Sequence, residues 1–281
     1  MRMGQAISYR LHRALLATVS LALPLTCVAQ SLPDTGSTHA PAIFAGRDAI
    51  TVAAFALATA AVMPLDRHIA IESQRSSLQN NTALNHTLTG FRVLGEPGSI
   101  ALAGAAYLYG RSANSPRSAE LGFRTIESIG AAGITSLLIK GLAGRARPFV
   151  VADTNPHNYK PGRGFRSDDY TSFPSGHVTT AFAAASAASQ EISYLWPHAS
   201  HLWTPLLFTS ASMVGIARIY EDKHWASDVV AGAAVGTIVS RMVVRWSRAH
   251  PHNAVDRALL PKGVAPAAYG RGVALNWAYQ W

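Results

Sequence analysis

The feature that most constrains this chain is a succession of Ala-rich apolar segments at roughly 47–64, 98–110, 118–144, 177–194, 204–220 and 226–247. Ala, Leu, Met and Ile dominate them, small residues recur three and four positions apart, and β-branched alternation is rare. That spacing is the signature of helices that pack closely on one another. With no internal repeat and no sustained heptad pattern, it predicts an all-α fold, a compact helical bundle of about six core helices. A polar stretch, 66–97, separates the first two segments and is expected to be helical in part.

The lengths of the segments bear on the solvent they face. A helix needs about 20 mainly apolar residues to cross a bilayer. Past the N-terminal segment, the longest runs free of both charged residues and histidine are Ala49–Leu65, with 17 residues, and Leu202–Ala217, with 16, and the segment before Lys140 carries Glu120, Arg124 and Glu127. These lengths fit buried helices of a soluble bundle better than a polytopic membrane protein. Only 14% of the 281 residues are charged, against about 25% in ordinary soluble domains. The formal charge of +9 favours anionic partners. The cations are scattered rather than gathered in a stripe, so nucleic acid is not expected as a partner.

The ends differ from the middle. Arg2, Arg10 and Arg13 precede an apolar run from Ala14 to Val28, and Cys27-Val28-Ala29 sets small residues where a signal peptidase cuts. Residues 1–29 are therefore expected to be an export signal, and 30–46, rich in Pro, Ser, Thr and Gly, a flexible leader. Residues 47–247 are the expected helical domain, with 248–281 as a C-terminal tail. Within that tail Val273, Leu275, Trp277, Tyr279 and Trp281 alternate with other residues, a strand-like period of two. His250 and His252, in the polar part of the tail, are not expected to hold a metal.

Three clusters carry chemistry: Lys140-x6-Arg147-Pro148, Phe173-Pro174-Ser175-Gly176-His177 and Arg218-x5-His224-x3-Asp228. Each falls at an expected helix boundary. Phosphoryl transfer without a metal requires fixed cations and N–H donors around the phosphate oxygens. Lys140, Arg147 and Arg218 supply the charges, and the backbone at Ser175 and Gly176 opens a helix N-terminus, which attracts anions. A histidine with one unprotonated nitrogen can attack phosphorus. Asp228, four residues after His224, is spaced to hold its other nitrogen, and His177 is free to protonate the leaving oxygen.

These clusters resemble the signature of the type 2 phosphatidic acid phosphatase (PAP2) superfamily: Lys-x6-Arg-Pro, Pro-Ser-Gly-His and Ser-Arg-x5-His-x3-Asp. That superfamily also takes in bacterial non-specific acid phosphatases and vanadium haloperoxidases. The resemblance covers about residues 118–247, and departs from the pattern at Ala217, which stands where the family has serine. It implies that Lys140, Arg147, Ser175, Gly176 and Arg218 bind phosphate, that His224 is the nucleophile, His177 the general acid and Asp228 the orienter of His224. It also implies a helical fold, no cofactor and no metal. Lys160, Arg163 and Arg166, in the polar loop between the first two clusters, are further candidates for a second phosphate or a head group.

The expectation is a metal-independent phosphatase acting on phosphate monoesters or diphosphates, either a phosphorylated small molecule or a lipid phosphate. Its expected place is the periplasm, free or in contact with a membrane, the other reading being an integral membrane protein with an extracytoplasmic site. Were all six segments to span after signal cleavage, the third would end in the cytoplasm. A vanadate-dependent haloperoxidase and a non-catalytic phosphate-binding protein are the alternatives.

Overall fold

The structure, a computed structural model, describes residues 43–251 and 253–260 together with the backbone of 265–269 and 272–276. The expected export signal and residues 30–42 of the leader lie outside the described residues. Helices α1 (Gly46–Val62), α2 (Asp66–Ser73), α3 (Ser76–Gln79) and α4 (Thr82–Val93) come first. They are followed by α5 (Ser99–Ser112), α6 (Pro116–Ala143), α7 (Gly176–Leu195), α8 (Pro197–Tyr220), α9 (Ala226–Ala249) and α10 (Ala254–Leu259). The fold is helical, as the periodicity predicts. At the C-terminus β1 (Ala265–Tyr269) and β2 (Gly272–Asn276) form an antiparallel pair. The last five positions of the alternating tail, and His252, lie outside the described residues.

The helix ends follow from local chemistry. Pro116 opens α6 and Pro197 opens α8, at the one helical position where a missing N–H costs nothing. Gly144 closes α6 in the left-handed conformation, φ 57°, which glycine adopts without penalty. A side chain at Gly144 would also collide with Lys160 O, so glycine lets the next loop fold back on the helix end.

The centre of the bundle is α7. Its Val178, Ala181, Phe182 and Ala185 pack against Phe208, Ala211 and Val214 of α8, Ala233 of α9 and Phe55 of α1. The Phe182 and Phe208 rings sit 6.0 Å apart. Burying a side chain of this size contributes about 1.5–3 kcal/mol. Alanine on most other turns brings the backbones close.

The membrane expectation needs correction. Four helical stretches are long and apolar enough to cross a bilayer: Gly46–Ser73, Pro116–Ala143, Pro197–Tyr220 and Ala226–Ala249, of 24 to 28 residues. Counting uncharged runs failed because the charges inside α6 turn inward. Arg124 is buried and pairs with Glu127 and with Asp256 of α10, while Ile134, Leu137, Leu138 and Leu142 on the same helix lie exposed. Leu57, Leu102, Leu108 and Leu202 are likewise exposed. Apolar outer faces of this kind suit lipid as the surrounding solvent, with the buried charges paired inside, and the protein is membrane-associated.

Candidate active site

The three clusters converge at one end of the bundle. Lys140, in the last turn of α6, donates to Thr171 O at 2.5 Å. Its side chain passes beside Gly176, where an added Cβ would stand 3.4 Å from Lys140 Cε. Glycine thus lets the lysine run along the start of α7. Arg147 follows α6 and is gripped by the loop before α7. Its Nε donates to Asp168 O at 3.0 Å, and its Nη2 to Thr171 Oγ1 at 2.9 Å and Asp168 Oδ1 at 3.2 Å. The Thr171 hydroxyl, with Arg147, holds the Asp168 carboxyl below the usual carboxylate range.

Arg218 ends α8, largely buried, and pairs with Glu221, which also holds Arg92 of α4 at 2.9 Å. Its Nε and the Ser175 hydroxyl are buried and have no hydrogen-bond partner among the described residues. Buried polar atoms in proteins are nearly always bonded, and these two donors have capacity left for a ligand. Ser175 departs from its expected use. It stands at the N-cap of α7 but its hydroxyl caps nothing, and its N–H donates to Asp228 O at 3.0 Å. What it can offer a phosphate is the hydroxyl.

His224 lies between α8 and α9, 3% exposed. Its Nδ1 is 2.8 Å from Ser172 O. A carbonyl only accepts, so Nδ1 carries the hydrogen and Nε2 keeps its lone pair. Asp228, expected to hold the ring directly, is 3.8 Å from Nδ1 and instead accepts from Ser172 Oγ at 2.5 Å and Trp225 N at 2.9 Å. Burial drives the His224 ring down to about 3, with Lys140 and Arg147 adding to that shift and Asp228 opposing it. The ring is therefore neutral at ordinary pH.

His177, in the first turn of α7, has Nδ1 3.4 Å from Glu96 Oε2. Burial lowers it to about 4, and Arg218, Arg92, Lys140 and Arg147 push the same way.

Two of the loop cations stand over the Tyr170 ring. Lys160 Nζ lies 4.8 Å and the Arg163 guanidinium 5.0 Å from the centre of the Tyr170 ring, where they pin the loop through cation–π contacts. Arg166 lies exposed. Motif reading missed Glu96, Ser172, Arg145 and Asp66, all of which touch the site or its supports. Arg145 lies inside the first cluster, within Gly144-Arg145-Ala146-Arg147-Pro148, and Ser172 directly precedes the second.

Residues 122–251 match the profile of the PAP2 superfamily. This stretch belongs to the PAP2 superfamily. Over 72 residues the chain is 44% identical to a lipid A 1-phosphatase of Porphyromonas gingivalis, a match that covers 25% of this chain and 15% of that protein. Over 106 residues it is 35% identical to a lipid A 1-phosphatase of Rhizobium etli, covering 37% of this chain and 40% of the relative. The matches thus span less than half the length of these curated relatives. A transmembrane PAP2-type phosphatidylglycerolphosphate phosphatase from Bacillus subtilis shares the fold. Its TM-score is 0.52 at 20% identity, over 73% of this chain and 97% of that one. The PAP2 stretch holds Lys140, Arg147, Ser175, His177, Arg218, His224 and Asp228, whereas Asp66, Arg92 and Glu96 come from segments before it.

Proposed function

We propose that this protein is a metal-independent phosphatase of membrane lipid phosphates or diphosphates, working through a phosphohistidine on His224. His224 Nε2 attacks phosphorus and the bond to the ester oxygen breaks. Lys140, Arg147 and Arg218 balance the charge on the remaining oxygens, joined by the Ser175 hydroxyl and the backbone at Gly176, and His177 gives its proton to the leaving oxygen. Water then attacks the phosphorus, His177 takes the proton back, and the P–N bond breaks to release inorganic phosphate and His224. The support for Asp228 as orienter is its hold on Ser172, whose carbonyl fixes the ring tautomer.

The observation that carries the lipid reading is an apolar cavity of about 540 Å³ whose lining includes chain neighbours of two groups at the site. Its lining begins at Gly95, next to Glu96, and at Ala181, one turn below His177, and runs between α5, α7 and α8 to Trp196 and Trp203. A phosphate held by the cations would place an attached hydrocarbon chain at the mouth of this cavity. The similarity to lipid A 1-phosphatases agrees with such a substrate.

The test is phosphate release by the purified protein in detergent with EDTA. Lipid A 1-phosphate, phosphatidate, undecaprenyl diphosphate and p-nitrophenyl phosphate would be compared beside His224→Ala. EDTA-resistant turnover of a lipid that vanishes in the variant is expected. Turnover unchanged by the substitution, or confined to p-nitrophenyl phosphate, overturns the reading.

A further inference from the structure

Beneath His224 lies a buried ion network that reaches outside the PAP2 stretch. The Arg145 side chain is 0% exposed, as are those of Asp66 and Asp228. Its Nη1 donates to Asp228 Oδ1 at 2.6 Å and Ser227 Oγ at 2.8 Å, its Nη2 to Asp66 Oδ2 at 2.7 Å, and its Nε to Pro156 O at 2.9 Å. Asp66 also accepts from Ser227 N at 2.8 Å and Ser227 Oγ at 2.5 Å. On the far side of Asp228, Ser172 has all three polar groups engaged. Its hydroxyl bonds Asp228, its carbonyl accepts from His224 and its N–H donates to Arg145 O at 3.0 Å.

We propose that Asp66 and Arg145 are positioning residues for His224, acting through Asp228 and Ser172. The inference rests on the phosphohistidine reading. Two physical consequences follow from the geometry. The first is orientation. Asp228 is 3.8 Å from His224 Nδ1, close enough that a small turn would let it compete with Ser172 for the ring hydrogen. Arg145 holds one carboxylate oxygen and Ser172 with Trp225 the other, so the turn is blocked. The guanidinium fork does this with fixed geometry, which a lysine ammonium lacks.

The second is charge. One guanidinium faces two carboxylates, so the trio Asp66, Arg145 and Asp228 sums to −1 + 1 − 1 = −1. A pair meant only to stabilise the fold needs no such surplus, which burial makes costly. A surplus negative charge next to His224 does have a use. When Nε2 is phosphorylated the ring becomes cationic, and a nearby anion in a low-dielectric site stabilises it strongly. Neutralising Asp66 leaves Arg145 to cancel Asp228 alone.

The experiment uses the full chain in detergent with Asp66→Asn, Asp66→Glu, Arg145→Lys and Ser227→Ala. Two readouts are taken: kcat and KM on the lipid that wild type hydrolyses, and ¹⁵N NMR of labelled histidine, which reports the His224 tautomer. Asp66→Asn is expected to lower kcat roughly 10- to 100-fold, the range for removing an outer partner of a functional histidine. KM should stay within about twofold, because the phosphate cations are untouched. Arg145→Lys should mix the His224 tautomers, and Asp66→Glu should recover much of kcat. Ser227→Ala keeps both charges and covers the case in which Asp66→Asn does not fold; it should lower kcat less. A wild-type tautomer in Arg145→Lys together with wild-type kcat in Asp66→Asn overturns the proposal. So does a wild-type kcat in folded Ser227→Ala with Asp66→Asn unfolded. If wild type hydrolyses nothing, the phosphohistidine reading fails, and the tautomer in Arg145→Lys alone decides the positioning.

Discussion

His224 Nδ1 lies 2.8 Å from Ser172 O and 3.8 Å from Asp228 Oδ2, so a main-chain carbonyl fixes the ring and the carboxylate acts one residue removed. The substitution Ser172→Ala keeps that carbonyl and deletes only the hydroxyl bonded to Asp228. One hydrogen bond of this kind contributes about 1 kcal/mol, roughly fivefold in rate. We expect kcat to fall by about that factor in Ser172→Ala and by at least about 10³-fold in His224→Ala. Phosphate release at saturating lipid measures both. Equal losses would show that the hydroxyl, and not the carbonyl, holds the nucleophile.

The cations around His177 set a pH dependence. In the free site Arg218, Arg92, Lys140 and Arg147 add to burial and hold the ring near 4, so it is neutral at pH 7. The proposed general acid must carry a proton, and activity should decline as pH rises through its pKa. A bound phosphate dianion offsets those four charges and raises that pKa. The alkaline limb of kcat, which reports the bound enzyme, should therefore lie at higher pH than that of kcat/KM. Replacing Glu96, 3.4 Å from the ring, by Gln should move both limbs to lower pH, because a nearby anion favours the protonated imidazole. Coincident limbs that Glu96→Gln leaves in place would remove His177 from the acid role.

The apolar cavity predicts a chain effect separable from the chemistry. Ala188 is half-buried and lines it well away from the cations. Ala188→Phe should raise KM for long-chain phosphatidate by about tenfold, comparable to the 1.5–3 kcal/mol carried by one buried apolar side chain. Turnover of a short-chain analogue should stay within about twofold. Equal effects on both chain lengths would mean that the cavity holds no substrate chain.

The first helix predicts sidedness. Asp48 near its start pairs with Arg241 and Arg245 at the end of α9, while Asp66 just past its end reaches Arg145 beside the site. If Gly46–Ser73 crosses the bilayer, residue 46 and the site face opposite compartments. Starting from a Cys27→Ser background, single cysteines at Gly46 and Phe165 should react with a membrane-impermeant thiol reagent from opposite sides. Labelling of both from one side would mean that α1 does not span.

The candidate chemistry was legible in the sequence because its residues sit at fixed spacing on helix ends. Lys140 and Arg147 share one helix terminus, and His224 and Asp228 one loop and helical turn, so local geometry keeps them together whatever surrounds them. Helicity was legible for the same reason, since a 3.6-residue period is a local property. The membrane character was misread because a charge count along a segment ignores direction. Arg124 finds Asp256 132 residues away and turns inward, leaving leucines outside.

By itself, then, the sequence brought out the three clusters and the helices that carry them, since both depend on neighbours a few positions apart. Only the tertiary structure decided how they are held. Ser172 meets His224 across 52 residues, Arg145 meets Asp66 across 79, and Asp66 meets Ser227 across 161. Such partners share no spacing in the chain. They are selected by packing, because a charge or N–H sealed from water must find whatever group the fold brings within about 3 Å of it.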